Sequence, residues 1–157
     1  MKNHNDKRKY ERYDTEIQIY FAVTYDIQTK VEFQVLDESK ESLKKYSAVS
    51  KNVSAEGLCF YSEKELKRGD RLYLEVYIPG SKKPIGMEGE VRWSQGMMTA
   101  KKKKVFDTGV KLLVVNGESV AKSIYRDDKY QVIWSTVLEC VLGNFRILQQ
   151  KKRKKLL

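Results

Sequence analysis

The chain has 157 residues, 41% hydrophobic and 33% charged, with a formal net charge of +10 at pH 7. That length suits one domain with a real core, and the balance excludes a disordered or fibrous protein. One histidine, His4, and two cysteines, Cys59 and Cys140, leave no material for histidine-based catalysis, a multi-histidine metal site or a disulfide framework.

Residues 1–12 hold five Lys/Arg against two acids, show no apolar period, and read as a flexible basic arm. Lys101 to Lys104 add four positive charges and the tail Lys151-Lys152-Arg153-Lys154-Lys155 adds five, so what lies outside these three segments carries a net −2. Basic charge confined to ends and one loop speaks for anion recognition by mobile segments rather than by a wholly basic face. No stretch reaches the roughly 18 uninterrupted apolar residues of a membrane span. The polar first twelve residues offer no export signal, and a cytoplasmic protein with reduced thiols is expected.

Ile17, Ile19, Phe21, Val23 and Tyr25 alternate with Gln18, Tyr20, Ala22 and Thr24, a period of two that predicts a half-buried strand. Val31, Phe33 and Val35 repeat the pattern after a turn near Asp26 to Lys30, inside a long connection running to Lys45. Tyr46 to Val53, Leu58 to Tyr61, Leu72 to Ile78, Ile85 to Trp93 and Val105 to Val115 complete the strand candidates. Six or seven antiparallel strands predict a sandwich or closed barrel. After Asn116-Gly117 the apolar residues Tyr130, Trp134, Val137 or Leu138, Val141, Phe145 and Leu148 recur every three or four positions, an amphipathic helix that Asp127 or Asp128 would cap. Ile133, Cys140, Leu142 and Ile147 widen its apolar stripe, which covers a barrel end and offers a homodimer contact. The expected layout is an arm at 1–12, a barrel at 13–117, a helical region at 118–150 and a basic tail at 151–157.

Two short patterns carry chemistry. Arg8-Lys9-Tyr10-Glu11-Arg12 is an RxxxR at the junction of arm and barrel. Its spacing puts two guanidinium forks on one side in either regular geometry, suited to phosphates or guanine O6/N7 edges. Asn52-Val53-Ser54-Ala55-Glu56-Gly57 is an NxSxxG between two strands. On extended chain Asn52 and Ser54 share a face, and Gly57 allows a positive φ or close approach of a ligand. Chance alone yields roughly 0.4 RxxxR and about 0.05 [DN]xSxxG in such a chain, so the pair in this order is informative where each alone is weak.

With strands ending in IGMEGEVRW and FDTGVKLL, the two motifs make residues 7 to 115 resemble a PilZ domain. That resemblance implies a six-stranded β-barrel followed by a helix, no enzymatic activity, no metal or other cofactor, and cyclic di-GMP as ligand. It carries phosphate and guanine contacts to Arg8 and Arg12, a guanine edge to Asn52 and Ser54, and the motif glycine to Gly57. Lys7, Lys9 and Trp93 are secondary candidates. Lys7 stands where many members have arginine, and Trp93, at a strand end, resembles a tryptophan that lies against guanine.

The motif's first position is Asn52 rather than aspartate. Guanine's Watson–Crick edge offers N1–H and N2–H. A carboxylate accepts both with two oxygens, whereas an amide has one acceptor oxygen, so weaker binding than an Asp version is expected. The ligand would order the arm and change a surface read by an unidentified protein partner. Nucleic-acid binding by a small barrel with basic tails, or a ligand-free PilZ-like adaptor, are the alternatives.

Overall fold

The computed structural model of the chain describes residues 9–32, 43–129 and 131–143. In chain order these form β1 (Tyr13–Asp14), β2 (Gln18–Asp26), β3 (Val31–Glu32), β4 (Tyr46–Val53), β5 (Gly57–Ser62), β6 (Arg71–Tyr77), β7 (Ile85–Met98), β8 (Lys104–Val115), β9 (Glu118–Ser119), α1 (Val120–Ser123), β10 (Tyr125–Asp127), β11 (Val132–Trp134) and α2 (Thr136–Leu142).

Alternation builds the wall. In β2, Ile19 and Phe21 turn inward and are essentially fully buried, while Tyr20 faces out; Leu72, Leu74 and Val76 do the same in β6. Hydrogen bonding runs β4-β5-β8-β7-β6-β2, and β2 returns to β4 with Gln18 opposite Val49 and Phe21 opposite Tyr46. That last pairing closes a six-stranded antiparallel barrel and removes its open edges. The protein is mainly β with this barrel at its centre, as the sequence predicts. Phe21 and Phe60 meet inside with ring centroids 5.2 Å apart, and each such buried side chain contributes roughly 1.5–3 kcal/mol through burial.

The strand ends differ from the sequence reading in three places. β6 stops at Tyr77 because Ile78 precedes Pro79 and closes a turn, with Ser81 N–H donating to Ile78 C=O at 3.0 Å. β7 does not end at Trp93 but runs on to Met98 as a ribbon paired with β8. Of the strand-like VEFQVL segment, Val31 and Glu32 form β3; the rest lies outside the described residues.

The C-terminal helix starts later than its apolar period suggests. Val132, Ile133 and Trp134 are β-branched or aromatic and pair with Asp127, Arg126 and Tyr125 as a two-stranded hairpin. The cap is Ser135 rather than Asp127 or Asp128, accepting from Leu138 N–H. Val137, Leu138 and Trp134 are buried under one end of the barrel, and Ile133, Cys140 and Leu142 are partly buried against the same core. Tyr130, Phe145, Ile147 and Leu148 lie outside the described residues, as does the basic tail. Among the described residues no helix is long and apolar enough to cross a membrane.

Candidate functional site

The end of the arm is stitched to the barrel. Tyr13 pairs with Val53 and Asp14 with Asn52, and Thr15 N–H donates to Lys51 C=O at 3.0 Å. Tyr10 packs against the core. These contacts fix residues 9–12 beside the last residues of β4, so the tether begins before residue 13. Lys7 and Arg8 lie outside the described residues.

Strand register then lays a row across the outer wall: Asn52 opposite Cys59, Cys59 opposite Gly109, Gly109 opposite Trp93. Two β-bulges create this row. The register shifts between Ser50 and Asn52 and again between Val91 and Trp93, leaving Lys51 and Arg92 as extra residues. An extra residue reverses which face the following side chain takes. Ser50 and Val53 thereby both face the core while Asn52, itself buried, shares the outer face of the wall with Cys59, and Val91 stays in the core while Trp93 turns out. Trp93, 36% exposed, lies over Gly109. The row is thus walled by an amide at one end and an indole at the other, with a small thiol and a bare glycine between.

The loop between β4 and β5 forms the rim. Ser54 N–H donates to Gly57 C=O at 2.9 Å, and Gly57 N–H donates back to Ser54 Oγ at 3.1 Å. The turn takes one of the hydroxyl oxygen's two lone pairs, and Ser54 has its O–H and one acceptor position to offer a ligand. Gly57 does not adopt a positive φ; the left-handed glycines are Gly69, Gly80, Gly117 and Gly143. Its lack of a side chain matters for space, since a Cβ there would stand 3.2 Å from Val110 C=O. Behind the loop, Leu112 N–H donates to Glu56 C=O at 2.7 Å and Ser135 Oγ–H to Ala55 C=O at 2.5 Å.

Arm, row and rim enclose a cavity of about 250 Å³ lined by Lys9, Tyr10, Arg12, Asn52, Ser54, Glu56, Gly57, Leu58, Cys59, Arg92, Trp93, Gly109, Val110 and Lys111. The predicted residues Arg12, Asn52, Ser54, Gly57, Lys9 and Trp93 all stand in it. Among the described residues four cations face one acid, so the cavity favours an anion. Cys59 is buried and lies in the cavity floor. Burial pushes its thiol up, with nearby Arg12 and Lys51 opposing and Asp107 reinforcing the shift. It therefore stays a neutral thiol at neutral pH and is a poor nucleophile.

Sequence reasoning missed Glu56, Arg92, Gly109 and Lys111. Glu56 was inside the NxSxxG, and Gly109 and Lys111 inside FDTGVKLL, but only strand pairing shows that Lys111 stands opposite Gly57. A larger cavity of about 560 Å³ lies at the other end of the barrel, where β4 starts and β5 stops, and holds none of the motif residues. The carboxylate of its Asp70 accepts from Ile27 and Lys67 N–H, and that of Asp26 from Gln28 and Thr29 N–H, which makes them turn-formers.

A closed antiparallel barrel with a cationic cavity on its outer wall, bordered by residues 9–12, defines a ligand-binding module. A sequence model of the PilZ domain matches residues 6–124, and the chain belongs to the PilZ domain family. No curated protein matches the sequence. Among solved structures the chain is similar to the Bacillus subtilis inhibitor of motility, MotI/DgrA, with 16% identity and a TM-score of 0.45, covering 73% of this chain and 49% of that one. It spans about half the length of that protein. It is also similar to the PilZ domain of YcgR from Escherichia coli, solved with c-di-GMP, with 12% identity and a TM-score of 0.48 over 96% of this chain and 98% of that one.

Proposed function

We propose that this chain is a cyclic di-GMP receptor without enzymatic activity, acting in the cytoplasm. The observation that carries the reading is convergence: Arg12, Asn52, Ser54, Gly57 and Trp93, scattered over eighty positions, line one cavity. Family membership supplies the ligand, and the cavity's chemistry suits it. Arg12 donates through a planar fork to a phosphate or to guanine O6/N7. Asn52 and the Ser54 hydroxyl address the base's polar edge, and Trp93 presents an indole face for stacking. A volume of about 250 Å³ is below the roughly 300–1,000 Å³ of ligand pockets that engulf their guests, so one base and its phosphate enter while the rest of the ligand stays outside against the arm. The RxxxR motif assigns Arg8 to that exposed part as a second guanidinium. The ordered arm is then a new surface for a protein partner, at an entropic cost the charge-assisted bonds must exceed.

Isothermal titration of the purified chain with cyclic di-GMP, cyclic di-AMP and GTP tests this. The expected result is selective binding of cyclic di-GMP that survives removal of residues 151–157. A barrel that binds nucleic acid through its basic tail would instead lose affinity with that deletion and with rising salt. Absence of cyclic di-GMP binding overturns the reading.

A further inference from the structure

We propose, building on the cyclic di-GMP reading, that Glu56 is the residue that selects guanine. Phosphates and the Hoogsteen edge ask for donors, which Arg12, Lys9, Arg92 and Lys111 supply. The Watson–Crick edge asks for two acceptors side by side, for N1–H and N2–H. Asn52 has one acceptor oxygen, and its amide can also pair with adenine, so it does not discriminate by itself. Ser54 has one lone pair engaged by Gly57 N–H at 3.1 Å, which leaves a single neutral acceptor position rather than a side-by-side pair. Tyr10 carries a single hydroxyl. Among the described residues Glu56 is the one carboxylate lining the cavity.

Three features prepare it for that task. Its backbone is clamped on both sides, by Leu112 N–H on Glu56 C=O and by Ser135 Oγ–H on the C=O of Ala55 just before it. The side chain therefore springs from a fixed point on the rim. Second, Glu56 is half-buried, and among the described residues nothing hydrogen-bonds or ion-pairs with its carboxylate, although four cations line the same cavity. Arg92 instead leans toward Glu90 at 3.8 Å. Third, a carboxylate repels a doubly anionic ligand, so it weakens phosphate binding wherever it stands and helps only where N–H donors face it. Guanine presents such a pair, adenine turns a lone pair at N1 toward it, and hypoxanthine keeps N1–H while lacking the N2 amino group. Glu56 thus supplies the paired acceptors that Asn52 lacks at the motif's first position.

The test compares cyclic di-GMP, cyclic di-IMP and cyclic di-AMP on the wild-type chain and on Glu56→Gln by isothermal titration. Wild type is expected to prefer cyclic di-GMP over cyclic di-IMP by roughly five- to 150-fold, the range for one bidentate base contact. Glu56→Gln should bring the two ligands level while holding cyclic di-IMP at least as tightly as wild type does. Retained cyclic di-IMP binding and an unchanged melting midpoint serve as the folding control within the same variant. An unchanged preference in Glu56→Gln, an equal loss for both ligands, or a wild type indifferent to the N2 amino group each overturns the assignment while leaving the receptor reading intact. A wild type that binds none of the three overturns the receptor reading and Glu56's role with it.

Discussion

The indole of Trp93 lies so close over Gly109 that a Cβ at position 109 would fall 2.2 Å from Trp93 Nε1. The glycine is what leaves room for the ring over β8. Gly109→Ala should lift the ring, shift the intrinsic tryptophan emission and weaken cyclic di-GMP. Trp93→Ala should cost about 1–3 kcal/mol of binding, the usual worth of one stacked base. Equal affinity for wild type and Gly109→Ala would remove the indole from the binding surface.

Arg12 is the cation that β1 delivers to the rim. Arg12→Ala is expected to lose about 1.5–3 kcal/mol of ligand affinity, as for hydrogen bonds to charged groups. Arg12→Lys should recover only part, since a point charge cannot reproduce the fork. Arg8→Ala is expected to behave like Arg12→Ala. Titration calorimetry decides, and an Arg12→Lys variant as tight as wild type would reduce Arg12 to bulk charge.

Ser135 joins the rim to the helix. Its hydroxyl donates to Ala55 C=O while its oxygen caps α2 at Leu138 N–H, 3.5 Å away, and the residue is fully buried. Ser135→Ala strands a buried carbonyl and removes a cap. Together these should lower stability by roughly 2–4 kcal/mol. Urea denaturation measures it, and a loss within experimental error would show the two elements to be independently held.

Alkaline pH should loosen the fold. Burial raises the thiols of Cys59 and Cys140 above their ordinary 9.0, and Glu139 and Glu118 add to the effect at Cys140. A raised pKa in the folded state means that the unfolded chain gives up its proton first. The contribution is complete below about pH 9 and is lost as pH rises toward the folded value. The urea midpoint should drop between about pH 8 and pH 10, and less so in a Cys59→Ala/Cys140→Ala double variant. A wild-type midpoint flat across that interval would contradict the assignment.

Much of the barrel was legible because period two survives over long stretches of the wall: Tyr46 to Val53 is strand over its whole predicted length, and Leu72 to Val76 alternates without exception. The helix start was not, because Val132 to Trp134 fits an apolar helical period as well as a strand. Its partner, Tyr125–Asp127, decides the matter, and pairing is a non-local property. The site was legible only through motif residues. Arg12, Asn52 and Ser54 could be nominated in advance, whereas Lys111 and Gly109 acquire meaning only when β8 is laid beside β5. Trp93 was nominated as a strand terminus and proved to sit inside a longer ribbon, since Arg92 interrupts the alternation without ending the strand.

That interruption shows that the cavity depends on counting as much as on chemistry. Each bulge sets two neighbours, Lys51 with Asn52 and Arg92 with Trp93, on the same outer face; iron either pair back into strict alternation at the same chain length and the amide or the indole turns toward the interior. A family member could keep the arginines, the amide and the tryptophan and still be blind to its messenger, with one kink in its wall ironed flat.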